Sequence, residues 1–219
     1  MVIRENFENS LMKIKGKITE MGELSIVALE KAFDALKTQD VEIALKVIDE
    51  DANIDDLEME LNQFVIWLMA KEQPVARDLR VLIGVLKISS EIERIADFAV
   101  NMAKATIKIG KTNSLLHITH LEQMKEVSIH MLQKALQSFM EESIALAKEV
   151  SSLEDEVDKY HVDTYKRLTN YLSDHPEETN QLVQLLFVNR YLERTADHIT
   201  NIAESTAYLI KGKMYDFNS

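Results

Sequence analysis

A block of this sequence occurs twice. Glu93-Arg94-Ile95-Ala96-Asp97-Phe98-Ala99-Val100-Asn101-Met102-Ala103 aligns, 100 positions later, with Glu193-Arg194-Thr195-Ala196-Asp197-His198-Ile199-Thr200-Asn201-Ile202-Ala203. Glu, Arg, Ala, Asp, Asn and Ala match in place. A shared apolar periodicity would account for matching Ile and Ala, but not for matching Glu, Arg, Asp and Asn. The chain is therefore a duplication, and its fold must be one that a half-length unit can build twice.

That unit is helical. Strands need frequent turns and favour β-branched and aromatic side chains, yet 219 residues hold only 5 glycines, 2 prolines and 6% aromatics. Phe7, Leu11, Ile14, Ile18, Met21, Ala28 and Ala32 recur at helical spacing over residues 3–37, a single apolar seam. Thr38-Gln39-Asp40 interrupts it, with Asp40 placed to cap a second helix running to about Gln73. Pro74 suits the first turn of a third helix, which Gly110 ends. Lys111 to Thr119, with Asn113 and Ser114, reads as a linker. Beyond it, one helix carries Met124, Val127, Met131, Leu132, Ala135 and Leu136 to about residue 147, and another runs to about Tyr171. A turn at Ser173-Asp174-His175-Pro176 then leads into a last helix ending near Lys211-Gly212. The expected fold is all-α: six helices in two tandem antiparallel three-helix bundles, residues 1–112 and 113–219. Trp67 and the methionines are expected in the core.

Acidic residues mark the helices in pairs. Glu93/Asp97 and Glu193/Asp197 lie on the last helix of each half, Asp51/Asp55 and Glu154/Asp158 on the middle helix. Each pair is spaced i, i+4 and shares a helix face. In an antiparallel hairpin, residues equidistant from the turn lie at equal height. Asp51 with Asp97, and Asp55 with Glu93, both average to position 74, the Pro74 turn. Glu154 with Asp197, and Asp158 with Glu193, average to 175.5, between His175 and Pro176. Each hairpin thus brings four carboxylates level.

Four such groups repel unless neutralised, and no Lys or Arg stands four residues from any of the eight. Arg94, Arg190 and Arg194, three residues away, can supply part of the balance. Divalent or trivalent metal ions on the carboxylates would supply the rest: iron, Mn, Mg, Ca or Zn, since the absence of cysteine leaves only oxygen and imidazole ligands. Asn101 and Asn201 extend the stripe by a turn and are expected as hydrogen-bond donors behind the ligands. The plainer alternative is a pair of solvated acidic faces. His198 points about 100° from its neighbour Asp197 and is expected to be a hydrogen-bonded surface residue, and His117, His120, His130 and His161 receive no role.

Several functions are disfavoured. A net charge of −12 repels nucleic acid. No nucleophile–base arrangement or glycine-rich phosphate loop is present, so no catalytic or nucleotide-binding residues are assigned and no enzyme is expected. Arg4, Glu5 and Glu8 interrupt any signal-peptide core, and the apolar run Phe64 to Ala70 is far short of a membrane span, so membrane association is expected only through partners. A ferritin-like di-metal carboxylate oxidase would carry Glu-x-x-His twice; here only Asp158-x-x-His161 comes near. A metal-free helical scaffold is the other alternative.

At these motifs the sequence resembles the PhoU family of phosphate-signalling regulators, over Phe7 to about Lys211. The most specific stretches are Glu72-Gln73-Pro74-Val75-Ala76-Arg77-Asp78-Leu79-Arg80 and the two repeated acidic motifs. Phe98 stands where a histidine is frequent, and Asp51 replaces a longer glutamate. The resemblance implies two three-helix bundles with metal on the acidic motifs. It further implies a cytoplasmic negative regulator of phosphate uptake and the phosphate-starvation response, working with the ATPase of the phosphate-specific ABC transporter and a sensor histidine kinase. A homodimer is expected from this resemblance and from exposed helix faces.

Overall fold

In a computed structural model, which describes residues 2–111, 114–213 and 215, with side chains from residue 6 onward, the N-terminal seam forms α1 (Val2–Thr38). Ile14, Ile18, Met21, Ser25, Leu29 and Ala32 lie on its buried side, whereas the expected Ala28 is only partly covered. Gln39 turns the chain at φ 55 and Asp40 caps α2 (Val41–Glu50), accepting from the Glu42 and Ile43 N–H groups. Then come α3 (Ala52–Glu72) and α4 (Arg77–Ile109), which Gly110 ends at φ 69. The second half comprises α5 (Leu121–Glu141), α6 (Ile144–Asp174) and α7 (Thr179–Lys211), with single 3₁₀ turns at Leu116–Ile118 and Pro176–Glu178. All regular structure among the described residues is helical. The six-helix plan is present, its second helix interrupted once, at Asp51.

Three boundaries differ from expectation. Pro74 lies outside the third helix: Gln73 closes α3 in the left-handed region, Ala76 follows at φ 49, and α4 begins only at Arg77. Helix α5 stops at Glu141 rather than near 147, because Glu142 takes φ 53 and the Ser143 hydroxyl accepts from the Leu146 N–H to start α6. This repeats the Gln39–Asp40 junction 103 positions later. Asp51 ends α2 and precedes α3, its carbonyl accepting from Ile54 N at 2.9 Å, with Asn53 turned back onto the Glu50 carbonyl. The expected 112/113 boundary and Asn113 lie outside the described residues.

The duplication is visible in the packing. Each half is an antiparallel three-helix unit, and α4 packs along α7 so that one hydrophobic cluster runs through both. Gly22 of α1 sits against Leu136 of α5, while Lys125 of α5 lies over the Phe33 ring of α1 at 5.5 Å. Positions 22 and 33 match 125 and 136 at the 103-residue offset, so these are the same contact seen from either half. Buried Thr106 and Thr206, 100 apart, each return their hydroxyl to the carbonyl four residues back, a low-cost way to keep a hydroxyl in a core. The methionines divide: Met21, Met102, Met124 and Met131 are buried, but Met12, Met59 and Met140 are exposed. Trp67 is also outside the core, 50% exposed, stacked on Phe64 with Lys71 above its ring.

Gly84 of α4 packs directly against Leu209 of α7. A Cβ there would lie 2.2 Å from Leu209 Cδ2. Gly84→Leu is expected to destabilise the protein by about 1–3 kcal/mol through overpacking, read as a lowered melting temperature. Leu209→Ala in the same chain should recover part of the loss.

Candidate metal centre

The first hairpin, α3–α4, turns at residues 73–76, and the second, α6–α7, at 175–178. Both turns fall where the registration of the acids requires. On each middle helix the two acids differ in depth. Asp51 is partly buried and Glu154 only 8% exposed, whereas Asp55 and Asp158 are exposed. On the last helices the side chains of Glu93 and Asp97 are 23% and 38% exposed, and that of Glu193 is 14% exposed. The repeated motif places its acids at the same position on the helix in both halves: Ala96 and Ala196 are buried in the core, and Glu93 and Glu193 are partly covered at its edge.

The acids of each set influence one another electrostatically. Burial first, then the charges of Asp55 and Asp97, push Asp51 up to about 6, with Lys104 opposing. Burial, then Asp97, raises Glu93, against Arg94, with Glu58 and Asp55 adding to the rise. In the second set burial lifts Glu154 to about 7, reinforced by Asp197 and Asp158 and partly offset by the Thr200 hydroxyl. Glu193 is raised by burial and by Asp197 and Asp158, with Arg190 and His161 opposing. Asp197 is raised chiefly by burial, with Arg190, Arg194 and His198 opposing and Asp158 reinforcing. Asp51, Asp55, Glu93 and Asp97 thus form one electrostatic group, and Glu154, Asp158, Glu193 and Asp197 another.

Internal cations neutralise only part of this charge. Arg94 binds Asp97 at 3.0 Å and stands 4.0 Å from Glu93. In the second half Arg190 binds Glu193 Oε1, while Arg194 lies over the Phe98 ring at 6.0 Å, across the interface with α4. Glu193 Oε2 is buried without a hydrogen-bond partner. Among the described residues no three acidic or histidine side chains close to ligand distance. The donor set nevertheless fits a hard cation: carboxylate oxygens only, inward members held toward protonation chiefly by burial and then by neighbouring carboxylates, and one buried oxygen lacking a partner. A bound ion would supply the positive charge that Arg94 and Arg190 supply incompletely.

Residues beside the sets were harder to read from sequence. Asn201, expected behind the ligands, instead donates to Glu91 Oε2 at 3.2 Å. His198 is half-buried rather than on the surface, its Nδ1 2.5 Å from the same Glu91 oxygen. The symmetry-related pair, 100 positions away in each partner, is Tyr191 with Phe98, stacked at 6.1 Å. The duplicated interface is therefore polar on one side and aromatic on the other. His161 Nδ1 lies 3.3 Å from the Asn189 carbonyl, and Asn189 Nδ2 donates to the His161 carbonyl. His120 contacts Asp163 at 2.8 Å and its N–H donates to Thr164, which fastens the end of the linker to α6.

Comparison with known proteins agrees with this architecture. The PhoU domain family matches twice, over residues 18–106 and 121–206. A Clostridium acetobutylicum protein described as a phosphate-specific transport system accessory protein PhoU homolog is 35% identical over 216 residues, covering 98% of this chain and 99% of its own length. An Aquifex aeolicus protein of the same description is 34% identical, covering 93% of this chain and 92% of its own. The crystal structure of the phosphate transport system regulatory protein PhoU from Streptococcus pneumoniae superposes with a TM-score of 0.89 at 28% identity, covering 96% of this chain and 99% of that one. PhoU from Pseudomonas aeruginosa gives 0.88 at 27%, covering 94% and 100%.

Proposed function

Because this chain belongs to the PhoU family, we propose that it is a negative regulator of phosphate uptake and the phosphate-starvation response. In this reading it is a metal-binding, non-catalytic helical adaptor between the phosphate-specific ABC transporter and its sensor histidine kinase. The named relatives are accessory and regulatory proteins of phosphate transport, which supports the process and the regulatory role. The observation that carries the metal component is the paired sets of level carboxylates, each with an inner acid (Asp51 or Glu154) pushed well above its ordinary range.

Asp51, Asp55, Glu93 and Asp97 would hold one centre, and Glu154, Asp158, Glu193 and Asp197 the other. A bound cation would neutralise each set and hold the middle helix to the last. Arg94 and Arg190 temper the charge of the last-helix acids and leave the middle-helix acids to the ion. No described helix is long and apolar enough to cross a membrane. The proposed location is the cytoplasm, with membranes reached through the transporter and kinase. Exposed Met59, Ile66 and Trp67 on α3 support a homodimer. The ferritin-like alternative is less well supported, since His161 is tied to the α7 backbone and Asp158 has no second Glu-x-x-His partner.

Replacing both Glu193 and Asp197 by Ala is expected to remove bound metal from the second unit, measured by elemental analysis of protein purified without chelators. It should also relieve phosphate-dependent repression of a reporter. Unchanged metal content together with unchanged repression would eliminate the metal-centred reading.

A further inference from the structure

The second hairpin carries a side chain that the carboxylate sets leave unused. His161 stands three residues after Asp158 on α6 and shares its helix face. Across the hairpin its Nδ1 lies 3.3 Å from the Asn189 carbonyl oxygen, while Asn189 Nδ2 donates to the His161 carbonyl at 3.0 Å. Positions 161 and 189 average to 175, within half a residue of the register that levels Asp158 with Glu193. His161 therefore lies about one helical turn nearer the α6–α7 turn than Asp158, against the same stretch of α7.

That contact also fixes the chemistry of the ring. A carbonyl oxygen only accepts, so Nδ1 carries the hydrogen and the neutral imidazole presents its lone pair at Nε2. A ring held in this way by a backbone carbonyl is the usual state of a histidine that binds a metal ion. Two oxygens on the facing side of α7 lack partners. Asn189 is fully buried, and its Oδ1 accepts no hydrogen bond among the described residues. Glu193 Oε2, four residues on, is buried and equally unpaired. Buried acceptors without donors call for a cation or an ordered water.

The first half supplies a comparison. At the 103-residue offset His161 corresponds to Glu58. Both positions face the first acid of the repeated motif. Burial raises Glu93 and Glu193 alike, but Glu58 adds to the rise at Glu93, whereas His161 opposes it at Glu193. Asn189 corresponds, 100 positions back, to Ser89, whose hydroxyl is already bonded to Asn62 and to the Leu86 carbonyl. The same place is thus a carboxylate beside a satisfied hydroxyl in one unit, and an imidazole beside unsatisfied oxygens in the other.

We propose that His161 Nε2 is a nitrogen ligand of the second centre, joining Asp158 and Glu193, and that it makes this unit select a borderline transition ion such as Zn²⁺. The first unit, with Glu58 in the equivalent place, offers oxygen alone and takes a harder ion such as Mn²⁺ or Mg²⁺. The inference rests on the metal-binding reading above and adds to it a ligand and a selectivity. Among the described residues these donors stand short of ligand distance. Asp158 is exposed, so its side chain can turn toward the other two without disturbing the core.

The test uses full-length single-centre proteins. Glu93→Ala with Asp97→Ala retains the second centre, and Glu193→Ala with Asp197→Ala the first. Each is loaded with Mn²⁺ and examined by pulsed EPR for coupling to an imidazole nitrogen, then titrated with Zn²⁺ in competition. Nitrogen coupling is expected in the second centre alone. His161→Glu, which reproduces the arrangement of the first unit, should abolish the coupling and keep Mn²⁺ bound. It should also lower the preference for Zn²⁺ over Mn²⁺ about tenfold or more. His198→Gln should leave the coupling unchanged, because that ring is turned to Glu91. Circular dichroism checks the fold of each variant, and His161→Gln serves if the glutamate variant unfolds.

Bound Mn²⁺ without nitrogen coupling would overturn the inference, and the unpaired oxygens of Asn189 and Glu193 would then belong to water. Coupling that survives in His161→Glu but is lost in His198→Gln would overturn it as well, as would an equal Zn²⁺ preference at the two centres. Each of these results leaves the metal reading standing. Failure of both units to bind Mn²⁺ and Zn²⁺ would remove that reading, and the nitrogen ligand with it.

Discussion

With metal removed by a chelator, the protein is expected to be more stable near pH 5 than near pH 8. The cause is the inner acid of each set. Glu154 is lifted from 4.5 to about 7 and Asp51 from 3.8 to about 6, chiefly by burial and then by neighbouring carboxylates. A carboxyl whose pKa is raised on folding takes up a proton as the chain folds. The stabilisation is therefore complete below the unfolded value and is lost as pH rises through the folded one. For Glu154 the window runs from about 4.5 to about 7. The expected loss across it is about 1–3 kcal/mol, allowing for relaxation and water entry around a group at the bundle edge. Denaturant unfolding at the two pH values measures it. Glu154→Gln, which keeps the shape and removes the charge, should flatten most of the difference. A metal-free protein whose stability rises over this interval would show that Glu154 is charged and internally paired.

Most of the helical plan was legible in the sequence because its punctuation is local. Asp40 caps, Gly110 and Gly212 stop helices, and the turns near Pro74 and Pro176 fall where the acids require. The end of α5 was not legible by the same means, since Glu142 takes a left-handed conformation that a residue with a side chain rarely adopts and no glycine marks it. Extending the repeat to the 103-residue offset, with Gln39 opposite Glu142 and Asp40 opposite Ser143, would have revealed that junction. The break at Asp51 has no counterpart in the second half, where α6 runs unbroken through Glu154, so duplication offered no guide there.

The carboxylate sets were legible because hairpin register depends only on counting from a turn. What surrounds them was not. Glu91 meets His198 and Asn201 across α4 and α7, and Arg194 leaves its own acids for Phe98. Those contacts depend on how one half lies on the other, which no spacing within a helix encodes. Trp67 was misplaced for a related reason. Its helix has apolar residues on more than one face, and only packing decides that Leu61, Val65 and Leu68 turn inward while Ile66 and Trp67 remain outside.

In the metal-binding reading proposed above, the two carboxylate sets, alike in origin, are expected to bind metal unequally, with the second the tighter. Each has an inner acid, two acids on the last helix and an exposed outer acid. The second set lies deeper, however, with Glu154 at 8% exposure and the Glu193 side chain at 14%, against 23% for Glu93. It also holds the buried Glu193 oxygen that lacks a partner. An ion there interacts through less water, so each carboxylate contributes more once the ion is bound. The first set has a shorter inner side chain, Asp51, at the break between α2 and α3, and its Asp97 is already engaged by Arg94. Arg190 competes in the same way for Glu193 but reaches only one of its two oxygens. Competition titration of Mn²⁺ against a chromophoric chelator should therefore separate the single-centre proteins. Glu93→Ala with Asp97→Ala leaves the second centre, Glu193→Ala with Asp197→Ala the first, and the remaining affinities should differ by about tenfold or more in favour of the second. Because Glu154 must release its proton to bind, affinity at that centre should fall steeply below about pH 7. Metal addition should accordingly reverse the stability trend of the chelated protein, so that the loaded form gains stability as pH rises. A first centre that binds as tightly as the second would mean that burial at Glu154 and Glu193 excludes water without strengthening their hold on the ion.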